Sequence, residues 1–168
     1  LPNNSNNIDE SEFKKIDTEL VSTSLNKNIE YLKIKYNMLI NSDIKIREFS
    51  LNIQKKKYPA FILYIDGMVN GDNINDFILK PLLLKTSIKM EDLSKSSKTT
   101  TTSKNEKFDL ENFLYSNLIP QNSISKEKEF KNIIHKVNGG SCALFVESLN
   151  IGFCIESKGF KSRSITQP

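Results

Sequence analysis

Few side chains in this sequence have the type and spacing needed for chemistry. Asp66 ends the apolar run Phe61 to Ile65, and with Gly67 it stands where α/β folds place small ligands, at the carboxyl end of a strand. Asp-Gly is also ordinary turn chemistry, so Asp66 and Gly67 are a candidate ligand site and a turn at once. Cys142 and Cys154 are the two cysteines and His135 is the single histidine. A cysteine nucleophile needs a stabilised thiolate, and both cysteines lie in apolar, strand-like runs that destabilise one. His135 has no second histidine, cysteine or carboxylate at ligand spacing, which makes it a surface or boundary residue of a helix. No glycine-rich phosphate loop, CxxC pair or nucleophile elbow occurs. The residues therefore describe a non-enzymatic protein with no catalytic group, metal or cofactor.

The elements that would hold these residues are organised around Ala60 to Leu84. Phe61 to Ile65 has no polar break, as expected of a central strand covered on both faces. After the Asp-Gly turn, Asn73 is a candidate N-cap, and Ile74, Phe77, Ile78 and Leu82 recur at helical spacing. Pro81 should kink or end that helix, because it lacks an N–H and crowds the preceding turn. Upstream, Leu25, Ile29, Leu32 and Tyr36 predict a helix capped by Ser24. Ile44 to Ile53 alternates as a strand whose phase shifts at Glu48-Phe49, the mark of a bulge. Gln54 to Pro59 would connect it to the central strand as an antiparallel hairpin. Downstream, Asp109 opens a helix striped by Leu110, Phe113, Leu114, Leu118 and Ile119 and ended by Pro120. Ser123 to Lys126 lead into another, striped by Phe130, Ile133, Ile134 and Val137, which Asn138-Gly139-Gly140 stops.

Ser141 to Glu147 and Ile151 to Ser157 make a second hairpin. With its centre at Leu149-Asn150, Cys154 faces Phe145; with its centre at Leu149, Cys154 faces Leu144. Neither register puts the cysteines across from each other, which predicts two free, buried thiols suited to a reducing compartment. The architecture expected is an α/β sandwich: a mixed sheet of about four strands, two antiparallel hairpins, packed with helices. Residues 1–23 read as a polar tail, mobile or loosely docked, 24–168 as a single domain, and 90–107 within it as a low-complexity loop rich in Ser, Thr and Lys.

A length of 168 residues with 38% hydrophobic and 26% charged side chains fits one water-facing core. No apolar run approaches the roughly 20 residues of a membrane-spanning helix. The net charge of +4, from 24 basic and 20 acidic residues, is spread along the chain and does not select nucleic acid as a partner. Lys55 to Lys57 read as a solvated hairpin tip. Lys158, Lys161 and Arg163 form a basic exit segment, a candidate contact with a partner or anionic lipid. The start at Leu1 and the stop at Pro168 soon after a strand read as a piece cut from a longer protein.

Two stretches carry a family resemblance. Ala60 to Leu84, AFILYIDGMVNGDNINDFILKPLLL, resembles the strand, Asp-Gly, helix and "ILKPL" signature of the A subunits of GerA-type spore germinant receptors. Cys142 to Pro168, CALFVESLNIGFCIESKGFKSRSITQP, is similar to that family's second signature. There Phe160 replaces the usual tryptophan, while Lys158, Gly159, Ser162, Arg163, Ser164 and Pro168 match. The upstream IKIREFSL is similar to the family's first strand, and together these cover most of Ile29 to Pro168 outside the Ser/Thr loop. Glu147-Ser148 departs from the family's Asp-Gly, so that turn is expected to lack a positive φ and to be longer. The resemblance implies the first N-terminal subdomain of a membrane-embedded receptor subunit, followed by a second subdomain and membrane helices. It further implies a homo-oligomer of A subunits assembled with B and C subunits in the spore inner membrane, this domain on the core side, responding to amino acids or sugars. Two alternatives share the resemblance: a sensory domain that binds the germinant itself, and the related stage V sporulation A-operon membrane protein.

Overall fold

The computed structural model describes residues 19–84, 108–118 and 123–157. In chain order the elements are α1 (Leu25–Lys35), β1 (Ile44–Ile53), β2 (Lys56–Ile65), α2 (Gly71–Ile74) running into a π-helical turn (Asn75–Leu79), α3 (Leu110–Asn117), β3 (Ile124–Glu127), α4 (Phe130–Asn138), β4 (Cys142–Val146) and β5 (Gly152–Ile155). Five strands form one sheet in the order β1-β2-β4-β5-β3. The class is α/β and both hairpins are present, but every pairing is antiparallel, so the sheet is not mixed. The fifth strand is β3, drawn from the segment read as a lead into α4. It has only four residues, too short for its alternation to stand out, and it exists because β5 offers it an open edge.

Strands β2 and β4 are central and buried on both faces. On one face Phe61, Leu63, Ala143 and Phe145 pack beneath α1 and α4, through Leu25, Ile29, Leu32, Phe130, Ile133 and Val137. On the other, Ile62, Leu144, Val146 and Phe153 meet α3 and the π turn, through Leu114, Leu110, Ile74 and Ile78. Helices thus cover both sides, as strands without a polar face require. Phe145 is stacked between Phe61, 4.6 Å away between ring centroids, and Phe130, 6.0 Å away. Close approach of α4 depends on Gly152, where a Cβ would stand 2.9 Å from Ile133 Cδ1 and 3.1 Å from Phe145 Cε2.

Several local expectations change. β1 and β2 pair without interruption from Ile44↔Ile65 to Ile53↔Lys56, so there is no bulge at Glu48-Phe49. The phase shift has another cause: Ile44 and Ile46 pack on the α1/α4 face, whereas Leu51 and Ile53 pack on the α3 face. The tip is the two residues Gln54 and Lys55, at φ 53° and 63°, so Lys56 and Lys57 belong to the strand. Pro59 lies inside β2, its carbonyl accepting from Glu147 N–H, so its missing N–H points past the end of β4 and leaves the β1 ladder intact. The helix after Asp66-Gly67 starts earlier than Asn73, capped by Asn70, whose Oδ1 accepts from Asp72 N–H at 2.8 Å. Pro81 does not end it, since residues 80–84 remain helical. The π turn just before it, closed by Lys80 N–H to Asn75 O, widens the helix where the proline ring would crowd the carbonyl four residues back.

At the second hairpin, Leu149 N–H reaches Val146 O, and Ser148 itself adopts the positive φ, 83°, that its lack of glycine was expected to prevent. Cys154 faces Ala143, a register one step from the Leu144 pairing expected and two from the Phe145 pairing. Asp109 caps α3 as predicted, 3.1 Å from Asn112 N–H. Gly140, at φ 105°, closes α4 in the left-handed conformation that glycine adopts without penalty. Residues 1–18, the Ser/Thr loop, Ile119 and Pro120 lie outside the described residues. Glu19 to Ser22, assigned to the tail, are docked: Phe130 N–H donates to Glu19 O, Val21 N–H to Lys128 O, and Val21 is buried. Ser24 makes no side-chain cap on α1; that role falls to Glu147, whose Oε2 accepts from Leu25 N–H at 2.8 Å. Glu147→Ala is therefore expected to lower unfolding stability by about 1 kcal/mol, and Ser24→Ala to change it little, in paired urea titrations. Phe145→Ala, by emptying the centre of the ring stack, should cost about 3–5 kcal/mol in the same measurement.

Candidate functional site

At Asp66 and Gly67 the strand β2 ends in the expected turn. Met68 and Val69 N–H both reach Ile65 O, and Asp66, Gly67 and Met68 are exposed. Beside them Arg47 ties β1 to the following helix, through Asn75 Oδ1 at 2.7 Å and Gly71 O at 3.3 Å. Neither of the two hollows described below is lined by Asp66 or Gly67. Lys158, Lys161 and Arg163 lie outside the described residues.

The polar cluster that the fold does assemble lies across β3, β5 and α4. Lys136 on α4 reaches down to Ser125 Oγ at 2.7 Å and Glu127 Oε2 at 3.1 Å, both on β3. Ser123, Ser141, Cys154 and Glu156 complete a hollow of about 250 Å³ around it. Its one ammonium is paired with Glu127, and the cluster joins helix to edge strand. A wider, open hollow of about 560 Å³ lies between Lys56, Tyr58, Asp109, Glu111 and Leu149. Reading the sequence missed both, because their members are scattered along the chain: those of the first meet when β3 pairs with β5, and those of the second when the start of α3 comes beside β2 and the last hairpin turn. Among the described residues no group of histidine, cysteine, aspartate and glutamate could hold a metal ion. His135 is exposed on α4.

The cysteines are free and buried on opposite faces of the sheet, Cys154 with the α1/α4 core and Cys142 with the π turn. Burial pushes both thiols up to about 12, with smaller contributions from Cys154 acting on Cys142 and Glu127 acting on Cys154. Neither is a thiolate at neutral pH.

The architecture defines a class first. A crystal structure of the N-terminal domain of the A subunit of the Bacillus megaterium spore germinant receptor GerK3 has the same fold, with a TM-score of 0.60 at 20% identity over 84% of this chain and 49% of that one. The family model described as Bacillus/Clostridium GerA spore germination protein matches residues 30–168. The chain belongs to the GerA spore germination protein family. It is similar to two Bacillus subtilis (strain 168) proteins: spore germination protein KA, at 24% identity over 89% of this chain, and the uncharacterized membrane protein YfkQ, at 23% over 88%. The chain spans 24% of the length of each. The first signature forms β2, its turn and the π-helical segment, with Ile78, Leu79 and Leu82 of "ILKPL" buried and Lys80 exposed, paired with Asp76 at 3.1 Å.

The raised thiols predict alkaline instability. Their ordinary value is 9.0 and the folded value about 12, so the unfolded chain loses its protons first. Stability from this source is whole below pH 9 and falls as pH rises towards 12. Thermal melts at pH 8 and pH 10.5 should show a larger drop for the natural chain than for Cys142→Ala/Cys154→Ala.

Proposed function

We propose that this chain is the first N-terminal subdomain of a GerA-family germinant receptor A subunit, a non-enzymatic unit of receptor assembly and nutrient-triggered germination signalling. The family match over residues 30–168 carries the reading. The fold supports it: both signature stretches contribute the two-faced central strands and their hairpin, while the described polar clusters are spent on joining elements. On this reading residues 24–168 act as one domain of a longer, membrane-embedded protein in the spore inner membrane, on its core side. Its partners are further A subunits and the B and C subunits, and its stimulus is an amino acid or sugar sensed by the assembled receptor. Lys158, Lys161 and Arg163 are proposed contacts within that assembly.

Deleting residues 24–168 from the full-length gene tests this. Spores should lose germination in response to nutrients, and the B subunit should fall in the membrane fraction; normal germination with normal B-subunit levels overturns the proposal. Calorimetry of the chain with amino acids and sugars should give no saturable heat. Saturable binding that disappears in Asp66→Ala replaces the scaffold reading with a sensory one.

A further inference from the structure

The most exposed apolar side chains of the described residues gather at one place. Ile34 is 80% exposed, Leu39 98% and Ile40 75%, at the last turn of α1 and the loop that follows. The loop is built, not slack: Asn37 takes a positive φ of 50°, Met38 N–H returns to Lys33 O, and Ile40 and Asn41 N–H both reach Asn37 O. That winding holds Leu39 and Ile40 outward as a compact aliphatic tip, since the backbone groups that would otherwise seek partners are satisfied inside the loop.

Lysines rim the tip. Lys33 and Lys35 precede it on α1 and Lys45 follows it on β1, all exposed. From Lys27 to Lys45 four lysines face only Glu30 and Asp43 as acids. Lysine is depleted at protein–protein interfaces, and three aliphatic side chains fall far short of the roughly 800 Å² per partner that a stable interface buries. An aliphatic prong in a lysine collar suits an anionic bilayer instead, where the prong enters the acyl boundary and the ammonium groups stay at the phosphates.

The topology aims it suitably. Ile44 pairs with Ile65, Leu63 with Ala143, and Cys142 with Ile155, so the start of β1 and the end of β5 lie along one end of the sheet. The tip stands at that end, and the chain leaves the sheet there too, at Ser157, whose hydroxyl donates to Gly140 O. We infer that the Ile34, Leu39 and Ile40 tip with Lys33, Lys35 and Lys45 is a peripheral docking surface for an anionic membrane. The inference takes only its setting from the receptor reading, and a failure to bind lipid leaves that reading standing.

Sedimentation of the 168-residue chain with vesicles tests it. Vesicles of phosphatidylglycerol and phosphatidylcholine should bind it, vesicles of phosphatidylcholine alone should not, and added salt should weaken binding. Leu39→Glu/Ile40→Glu should reduce binding at least tenfold at an unchanged melting temperature. Lys33→Gln, Lys35→Gln and Lys45→Gln should each reduce it about fivefold, from roughly 1 kcal/mol per lysine at an anionic surface. Three results overturn the proposal: no binding to anionic vesicles, binding that survives both sets of substitutions, or self-association of the natural chain that Leu39→Glu/Ile40→Glu abolishes, which would make the tip a contact between copies.

Discussion

The rest of this molecule depends on two strands that have no wet face. Once β2 and β4 pair, Phe61 and Phe145 stack on one side while Ile62 and Leu144 are committed to the other. Neither side can face water, so helices must close both. Everything else follows from how the available helices meet that demand. α4 comes closest, over Gly152, and its Phe130 extends the ring stack that began between the strands. α1 is carried in behind it, with Tyr31 lying against Phe130 at 4.2 Å.

Polar groups then lock the layers together. Glu147 at the tip of the last hairpin caps α1 across 122 residues of sequence, and Ser148 N–H binds Thr23 O beside it. Asn28, fully buried, exchanges two hydrogen bonds with the backbone of Ser22. Lys136 ties α4 to the edge strand through Glu127 and Ser125, and Lys126 ties the same strand to α3 through Glu111 on the opposite face. Asn28 would be costly to bury alone and is satisfied by Ser22 six residues away, whereas Glu147 reaches its partner across most of the chain. The short β3 strand is the element most dependent on such ties, having only four residues of pairing of its own.

The buried polar groups serve the fold, the thiols are protonated, and the candidate turn at Asp66 is exposed rather than cleft-lined. Among the described residues the 34–40 tip is the most exposed apolar feature.

The sequence by itself determined the elements whose signals are local. The unbroken run in β2, the stripe and Asp109 cap of α3, the Gly140 stop of α4 and the two hairpins were legible because burial on both faces, helical spacing and special φ angles each leave a mark within a few residues. The two signature stretches were legible for the same reason, being the central strand and the last hairpin. Only the tertiary structure decided the matters that depend on distant partners. The all-antiparallel order follows from how β2 meets β4, and β3 became a strand because β5 had an open edge. The phase shift in β1 was a change of covering helix and not a bulge, since the two faces of an edge strand are buried by different helices. The cap of α1 came from Glu147 rather than Ser24, a contact that no local pattern encodes.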